Sequence, residues 1–307
     1  MVLETLTTAF KAENKPSKLI LLGGLYAIVG TILSLWVFQG YASLVMVFLT
    51  AMPAIPLIYN IITMEEEKDL TGMEERWLLK EHGKALSAFI WLFIGMTIGF
   101  ALLYVFLPSA KVATAYKIQG ETINEINARA ISIEELTKLP PSTTIAGGAT
   151  VSVAKLKLNT LQKIFFNNLR VLIFCILFSF LFGSGAIFIL TWNASVIGTA
   201  IGSSIRSELA LAASLSGLDK LARYFTTFTS GLAMYAIHGL PEILSYFIGA
   251  LAGGIISIAV IRHDFGTRKF EHIVLDAADL ILLSIFVLAV AAVLEVYITP
   301  LIFTSSA

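Results

Sequence analysis

Two residues that can exchange protons lie four positions apart near the carboxyl-terminal third of this sequence. They are His238 and Glu242, and Pro241 stands between them. They separate two apolar runs, Tyr224–Ile237 and Ile243–Ile261, of the kind that is buried in membranes. An ionisable pair at such a point is costly unless it has partners, so a functional site is the default hypothesis.

Four further polar residues could supply those partners. Glu295 lies near the end of the last apolar run, and Asn167, Asn168 and Arg170 precede another such run. Asparagines at a membrane entry can hydrogen-bond to neighbouring helices or can simply face the headgroups. We predict that these four residues converge with His238 and Glu242 in an intramembrane polar cluster, in which Arg170 could neutralise Glu242 or Glu295.

The spacing argues against catalysis at this cluster. A zinc protease uses His-Glu-x-x-His on an intact helix with a third ligand, whereas Pro241 disrupts a helix here. The sequence has four histidines and no Gly-x-Ser-x-Gly motif, and Cys175 lies within an apolar run without a nearby base. We therefore predict no catalytic residue, no metal and no cofactor, with an intramembrane hydrolase as the alternative.

The composition sets the fold class. Hydrophobic residues make up 57% of the 307 residues and charged residues 14%, against about 25% charged in an average soluble domain. This deficit predicts an all-α, polytopic transmembrane helical bundle embedded in a lipid bilayer. The net charge is zero, so no basic surface for nucleic acid is expected.

Apolar runs of about 20 residues predict the membrane crossings. Seven runs qualify or nearly qualify: Leu19–Phe38, Tyr41–Ile62, Ala85–Leu107, Val171–Leu190, Tyr224–Ile237, Ile243–Ile261 and Ala277–Ile298. The Tyr224–Ile237 run is short, and without it there are six spans and an intracellular carboxyl terminus. Ser195–Ile205 is too short to cross and could be re-entrant. His238 to Glu242 would form the break of a hairpin between the fifth and sixth spans.

Glycines at helical spacing predict close contacts between these helices. The candidates are three pairs: Gly95 with Gly99, Gly183 with Gly185, and Gly249 with Gly253.

The chain divides into three regions by composition. Residues 1–108 hold three spans, residues 109–163 form a small polar insertion outside the membrane, and residues 164–307 form a second membrane region. The linker 64–84 between spans two and three is charged, and it is predicted to be an amphipathic helix on the membrane surface. Its acidic run Glu65–Glu67 could bind a cation, but a solvated helix face is the favoured interpretation.

The basic loops predict the orientation. Short segments rich in lysine and arginine stay in the cytoplasm, and the candidates are the amino terminus, Met64–Lys84, Trp192–Arg223 and Arg262–His272. Seven spans place these four segments on the cytoplasmic side of a cell membrane. The polar insertion and the carboxyl terminus then lie on the extracytoplasmic side.

The second membrane region resembles the stage II sporulation protein M family. The resemblance rests on Asn167-Asn168, on Gly183 with Gly185, on the stretch His238–Glu242, and on Glu295 followed by Pro300. It covers about Leu161 to Pro300, and the first three spans with the polar insertion look like archaeal members. The resemblance implies an integral membrane protein without known enzyme activity. In sporulating bacteria the family member acts in a membrane complex with cell-wall hydrolases during engulfment.

Two functions follow from these patterns. The first is a membrane scaffold or accessory subunit that binds other membrane or envelope proteins or itself, with His238 and Glu242 as a structural lock. The second is a secondary transporter or channel-like protein in which Glu242, Glu295 and His238 bind a proton or a cation, because broken helices and buried carboxylates are typical of transport sites.

Overall fold

The fold is a bundle of long helices. The computed structural model describes residues 7–69, 75–140, 142–144, 150–211, 217–262 and 266–304. Within these ranges, seven helical segments are long and apolar enough to cross a membrane: Pro16–Val37, Gln39–Lys68, Lys80–Phe106, Val153–Phe182, Ile187–Ala210, Gly239–Ile261 and Arg268–Leu301. The prediction of an all-α polytopic membrane protein is confirmed.

The first three crossings are built from five helices. They are α1 (Ala9–Asn14), α2 (Leu19–Val37), α3 (Ala42–Ala51), α4 (Ile55–Asp69) and α5 (Glu75–Phe106). A 3₁₀ turn, Met52–Ala54, separates α3 from α4 within the second crossing. Pro53 lies in this turn, where its missing N–H group does not interrupt an α-helical hydrogen bond.

The predicted surface helix over 64–84 is wrong. Helix α4 continues the second crossing to Asp69, and α5 begins at Glu75 and continues into the third crossing. The charged residues of the linker therefore belong to the ends of these two helices and not to a separate surface helix. Residues 70–74, and the side chains of Trp77 and Leu78, lie outside the described part. Glu65 and Glu66 are fully buried, so the acidic run is not a solvated face.

The polar insertion contains both helices and a minimal sheet. Helix α6 (Ser109–Ala115) and helix α7 (Lys117–Lys138) precede strands β1 (Ser142–Thr144) and β2 (Thr150–Ser152). The strands are antiparallel, with Ser142 opposite Ser152. Helix α8 (Val153–Phe182) starts directly after β2 and contains the fourth crossing. The insertion therefore ends at residue 152, and not at residue 163 as predicted.

The predicted span Val171–Leu190 is divided in the structure. Helix α8 ends at Phe182, and α9 (Ile187–Leu211) starts after a buried turn. Gly183 terminates α8 with a φ of 68°, a left-handed conformation that glycine adopts without a steric penalty. Because α9 starts at Ile187, it is long enough to span. Ser195–Ile205 is thus part of a helix of spanning length and not a re-entrant segment, and the prediction that Trp192 begins a loop is wrong.

The predicted hairpin at His238–Glu242 is also wrong. Helix α10 runs without a break through Gly217–Ile261 and contains Pro241 in its interior. Proline removes one N–H donor, but helices of membrane proteins tolerate this because neighbouring groups satisfy the freed carbonyl. The apolar runs Tyr224–Ile237 and Ile243–Ile261 therefore belong to one helix. The seven crossings therefore include α9 instead of a separate Tyr224–Ile237 arm.

The last crossing ends in a π-helical turn. Helix α11 (Arg268–Val293) continues as the turn Leu294–Ile298 and then as α12 (Thr299–Thr304). Val296 of this turn packs in a small apolar cluster with Ile133 of α7 and Ile164 of α8. The π-helical turn therefore lies beside the insertion. We call this side of the bundle the insertion end.

The opposite side, which we call the charged end, gathers the basic segments. Lys68 of α4 contacts Glu13 of α1, and Arg262, just after α10, contacts Glu66 of α4. Helix α1, the described charged parts of α4 and α5, and Arg262 thus lie on one side, as the charge pattern predicts. The fourth predicted segment, Trp192–Arg223, does not join them.

Four of the six candidate glycines lie where helices approach closely. A Cβ atom on Gly95 would overlap the Ile20 carbonyl of α2, and one on Gly99 would lie 2.7 Å from the Gly24 oxygen. A Cβ atom on Gly249 would lie 2.5 Å from Leu172 Cδ1 of α8. Gly253 meets the Ile176 carbonyl of α8 in the same way. Gly183 and Gly185 lie in the turn after α8, where Gly185 meets the Phe178 carbonyl of that helix.

Substituting Gly95 by alanine should destabilise the bundle. The added methyl group collides with rigid backbone of α2, and overpacking of this kind costs about 1–3 kcal/mol. Thermal unfolding in detergent should show a lower Tm for Gly95→Ala. The matched control is Gly120→Ala in α7, where a Cβ meets nothing within 4 Å. Equal Tm values for the two variants would contradict the close α2–α5 contact.

Candidate functional site

Two of the predicted acids approach one tyrosine at the insertion end. The hydroxyl of Tyr246 donates a hydrogen bond of 2.8 Å to Glu242 Oε1, one helical turn earlier on α10. Glu295, on the π-helical turn, lies close enough to act electrostatically on the same hydroxyl. Both carboxylates are half-buried, and Tyr246 is fully buried. The structure therefore brings Glu242 and Glu295 into one neighbourhood.

Tyr246 and Cys175 are the members of this neighbourhood that the sequence analysis did not place in the cluster. The Cys175 side chain on α8 is buried and lies close to Tyr246. An aromatic residue and a cysteine within apolar runs are typical core residues. The spacing of Glu242 and Tyr246, one turn apart on a helix, was the only available signal.

The other predicted members are more dispersed. Asn168 is buried, whereas Asn167 is exposed and donates a long hydrogen bond of 3.5 Å to the Asn168 Oδ1 atom. Arg170 is exposed, and among the residues that the structure describes it forms no ion pair, so it does not neutralise Glu242 or Glu295. The side chain of His238 lies outside the described part of the chain.

A second group of charges lies at the charged end, and it is more deeply buried. We call it the Lys68 cluster: Glu13, Glu65, Lys68, Glu81 and His82. The Lys68 Nζ atom lies 2.9 Å from Glu13 Oε2 and 3.3 Å from Glu81 Oε2, and it also binds Glu65 Oε1. An ammonium group has three N–H donors, and here three carboxylates from α1, α4 and α5 surround it.

Histidine completes the Lys68 cluster. The Nδ1 atom of His82 lies 2.8 Å from Glu65 Oε2, so a protonated Nδ1 donates to that carboxylate. Glu65 is fully buried and His82 is nearly so. Lys84 binds Glu81 at 2.5 Å from the more exposed side. If all carboxylates are ionised and His82 is neutral, the group with Lys84 carries one negative charge in excess.

The environment of Glu13 differs from that of an ordinary surface carboxyl. Burial raises the pKa of Glu13 to about 7, and the neighbouring Glu65 carboxyl adds to the rise while Lys68 opposes it. Its Oε1 atom has no hydrogen-bond partner among the described residues. A buried, unpaired oxygen favours the protonated form of this group.

A separate ion pair closes the charged end across the bundle. Arg262 Nη1 donates to Glu66 Oε2 at 2.5 Å, and Arg262 Nη2 donates to Glu67 Oε1 at 2.8 Å. Glu66 is fully buried and Glu67 is exposed. This arginine therefore connects α10 to α4 with two charge-assisted hydrogen bonds, which are stronger than neutral ones.

The acidic run of Glu65, Glu66 and Glu67 therefore holds internal cations. No group of three histidine, cysteine, aspartate or glutamate residues with the geometry of a metal site occurs in the described ranges. These acids are evident in the sequence, but their partners are not. Glu13 and His82 lie 52 and 17 residues away from Glu65, and only the fold brings them together.

The seven apolar helices and the buried charges at their ends define the class, which is a polytopic α-helical membrane protein. The sequence model of the stage II sporulation protein M family matches residues 87–300. This range is more than half of the chain, so the protein belongs to that family. No curated protein and no solved structure matches it at a significant level.

The matched range starts earlier than the resemblance predicts. It includes most of α5, the polar insertion and every later crossing, and not only the region after Leu161. It contains Glu242, Tyr246 and Glu295. The Lys68 cluster lies wholly before residue 87, so the family match covers only Arg262 among the paired charges of the charged end.

Replacing Lys68 by methionine should destabilise the protein strongly. The change leaves three carboxylates without their shared cation, and breaking a buried ion pair costs about 3–5 kcal/mol. We expect a value near the lower limit because the Lys68 side chain is 17% exposed. Equilibrium unfolding in mixed micelles measures the loss, and Lys111→Met on exposed α6 is the control. A loss no larger than the control's would show that the cluster does not stabilise the fold.

Proposed function

We propose that this protein is a non-catalytic membrane scaffold or accessory subunit that uses its insertion, residues 109–152, to bind envelope proteins. The observation that carries the proposal is the rigid attachment of the insertion to the bundle through Gln119. Membership of the sporulation protein M family supports an integral membrane role, and the attachment supports the presentation of a fixed surface.

Gln119 is the centre of a buried hydrogen-bond network. Its Nε2 atom donates to the Ser43 carbonyl at 3.0 Å and to Ser195 Oγ at 3.2 Å. Its Oε1 atom accepts from Ser43 Oγ at 2.6 Å, and the same Oγ accepts from the Ile118 N–H at 3.1 Å. Gln119 is fully buried. The start of α7 is thereby bound to the second and fifth crossings.

Arg206 makes a second attachment at the insertion end. Its Nη1 atom donates to the carbonyls of Tyr104 and Leu107 at 3.1 and 3.2 Å, and Nη2 donates to Ser109 Oγ at 2.9 Å. Carbonyls at a helix end have no partner within the helix. Arg206 of α9 therefore caps α5 and holds the first residue of α6.

These attachments favour a surface that keeps its shape. A partner that binds a preorganised surface does not have to order it, and this saves the entropy of ordering side chains and loops on binding. The basic residues at the charged end favour a cytoplasmic amino terminus. The insertion and the carboxyl terminus then face the extracytoplasmic side, where envelope proteins are located.

Photo-crosslinking from the insertion tests the scaffold. A photoreactive amino acid at Glu125, which is exposed on α7, should give discrete protein adducts in native membranes. The same amino acid at Leu282, 65% exposed on the last crossing, should contact lipid and give few adducts. Gln119→Leu should weaken the Glu125 adducts, because it removes the buried attachment. Adducts of equal yield at both positions would contradict a specific docking surface on the insertion.

A second candidate function is transport, and the grouping of Glu242, Tyr246 and Glu295 favours it. Partly buried carboxylates near the π-helical turn are groups that can bind a proton or a cation, and π-helical turns are frequent at functional sites. In this alternative His238 also contributes, since it stands one turn before Glu242 on α10.

Proton flux into liposomes separates the two functions. The scaffold proposal predicts that proteoliposomes show the same passive proton flux as empty liposomes and that Glu242→Gln changes nothing. Transport predicts a flux that Glu242→Gln reduces at least tenfold while the exposed control Glu121→Gln keeps it. A flux with that dependence would replace the scaffold by the transporter.

A further inference from the structure

We propose that Glu13 and Glu65 share one proton, held beside the Lys68 ammonium, and that loss of this proton releases α1 from α4 and α5. The Lys68 cluster is then a proton-binding site at the charged end. It controls whether the amino-terminal segment is docked on the bundle. This proposal goes beyond the scaffold function, because it concerns the end opposite the insertion.

The geometry places the two carboxyls together. Both carboxyls bind the Nζ atom of Lys68, so one oxygen of each lies within hydrogen-bonding distance of the same ammonium group. They come from different helices, α1 and α4, and both are buried. Two carboxylates that share a site cannot both ionise freely, so one of them keeps a proton.

The hydrogen bonds identify Glu13 as the carrier. Both Glu65 oxygens already accept, one from Lys68 and the other from His82. Glu13 accepts from Lys68 through Oε2 only, and Oε1 has no partner among the described residues. A proton on Oε1 converts that oxygen into a donor, and the ionised Glu65 carboxylate beside it is the acceptor.

The surrounding charges are consistent with one bound proton. The described groups that face Glu13 are Glu65 and Lys68 from α4 and Glu81 and His82 from α5, with Lys84 on Glu81. Lys11, Lys15 and Lys18 belong to its own segment and are exposed. The excess negative charge of the ionised group disappears when Glu13 is neutral.

The direction of the pH effect follows from the raised pKa. Docked Glu13 holds its proton up to a pKa of about 7, whereas a free glutamate has 4.5. The docked state therefore binds more protons than the undocked state between these values. Docking is favoured at low pH and is lost as the pH rises through about 7. The docking equilibrium should fall about thirtyfold between pH 5.5 and pH 8.5.

The test measures the proton and the docking on the full chain in lipid nanodiscs. Infrared difference spectra between pH 5.5 and pH 8.5 should show a protonated-carboxyl C=O band that Glu13→Gln removes. Spin labels at Phe10→Cys and Gly83→Cys report the distance from α1 to α5. Phe10 is 70% exposed, and a Cβ at Gly83 meets nothing within 4 Å. Cys175 is buried and is replaced by serine.

The expected result is a short label distance at pH 5.5 and a longer, broader distribution at pH 8.5. Glu13→Gln mimics the protonated carboxyl and should keep the short label distance at both pH values. The control Glu121→Gln should show the same pH dependence as the unmodified chain. The proposal is overturned by a distance that does not change with pH. It is equally overturned if Glu13→Gln retains the pH dependence, or if no carboxyl band depends on Glu13.

Discussion

The contact of the Lys68 ammonium with three carboxylates is the constraint on which the charged end depends. Each carboxylate comes from a different helix, and each would be costly to bury alone. One cation with three donors makes their burial possible together. It is also the reason why α4 and α5 extend past the apolar segments as a packed pair. Arg262 neutralises the buried Glu66 in the same way, and this ion pair holds the sixth crossing to the second.

The class and much of the architecture could be predicted from the sequence, because apolar length and charge depletion are local properties. The boundaries in the second half could not. Gly183 ends α8 within an apolar run, and the short Gly183-Ser184-Gly185 signal at that point does not distinguish a turn from a helix-packing motif. A turn was strongly indicated by Gly239 and Pro241 together with two ionisable residues, but all of them lie inside the continuous helix α10. Proline and glycine end helices in water more reliably than in a protein packed in lipid.

The candidate sites show the same division. Glu242 and Glu295 were predictable as costly residues in apolar surroundings, and the structure places both near Tyr246. Arg170 was chosen from topology alone, and its exposed position removes it from the neighbourhood. The partners of Glu65 were not predictable, because Glu13 and His82 are separated from it by whole helices. Pairwise contacts between distant segments are the information that composition and periodicity do not contain.

The unbroken course of α10 has a mechanical consequence. A helix of 45 residues is about 68 Å long, roughly twice the thickness of the hydrocarbon layer. Its carboxyl-terminal tip ends beside Arg262, and its course includes both the apolar run Tyr224–Ile237 and the apolar segment Gly239–Ile261. Because Arg262 follows directly after this helix and pairs with Glu66 of α4, α10 and the second crossing are mechanically coupled at the charged end: a tilt of either one strains that salt bridge.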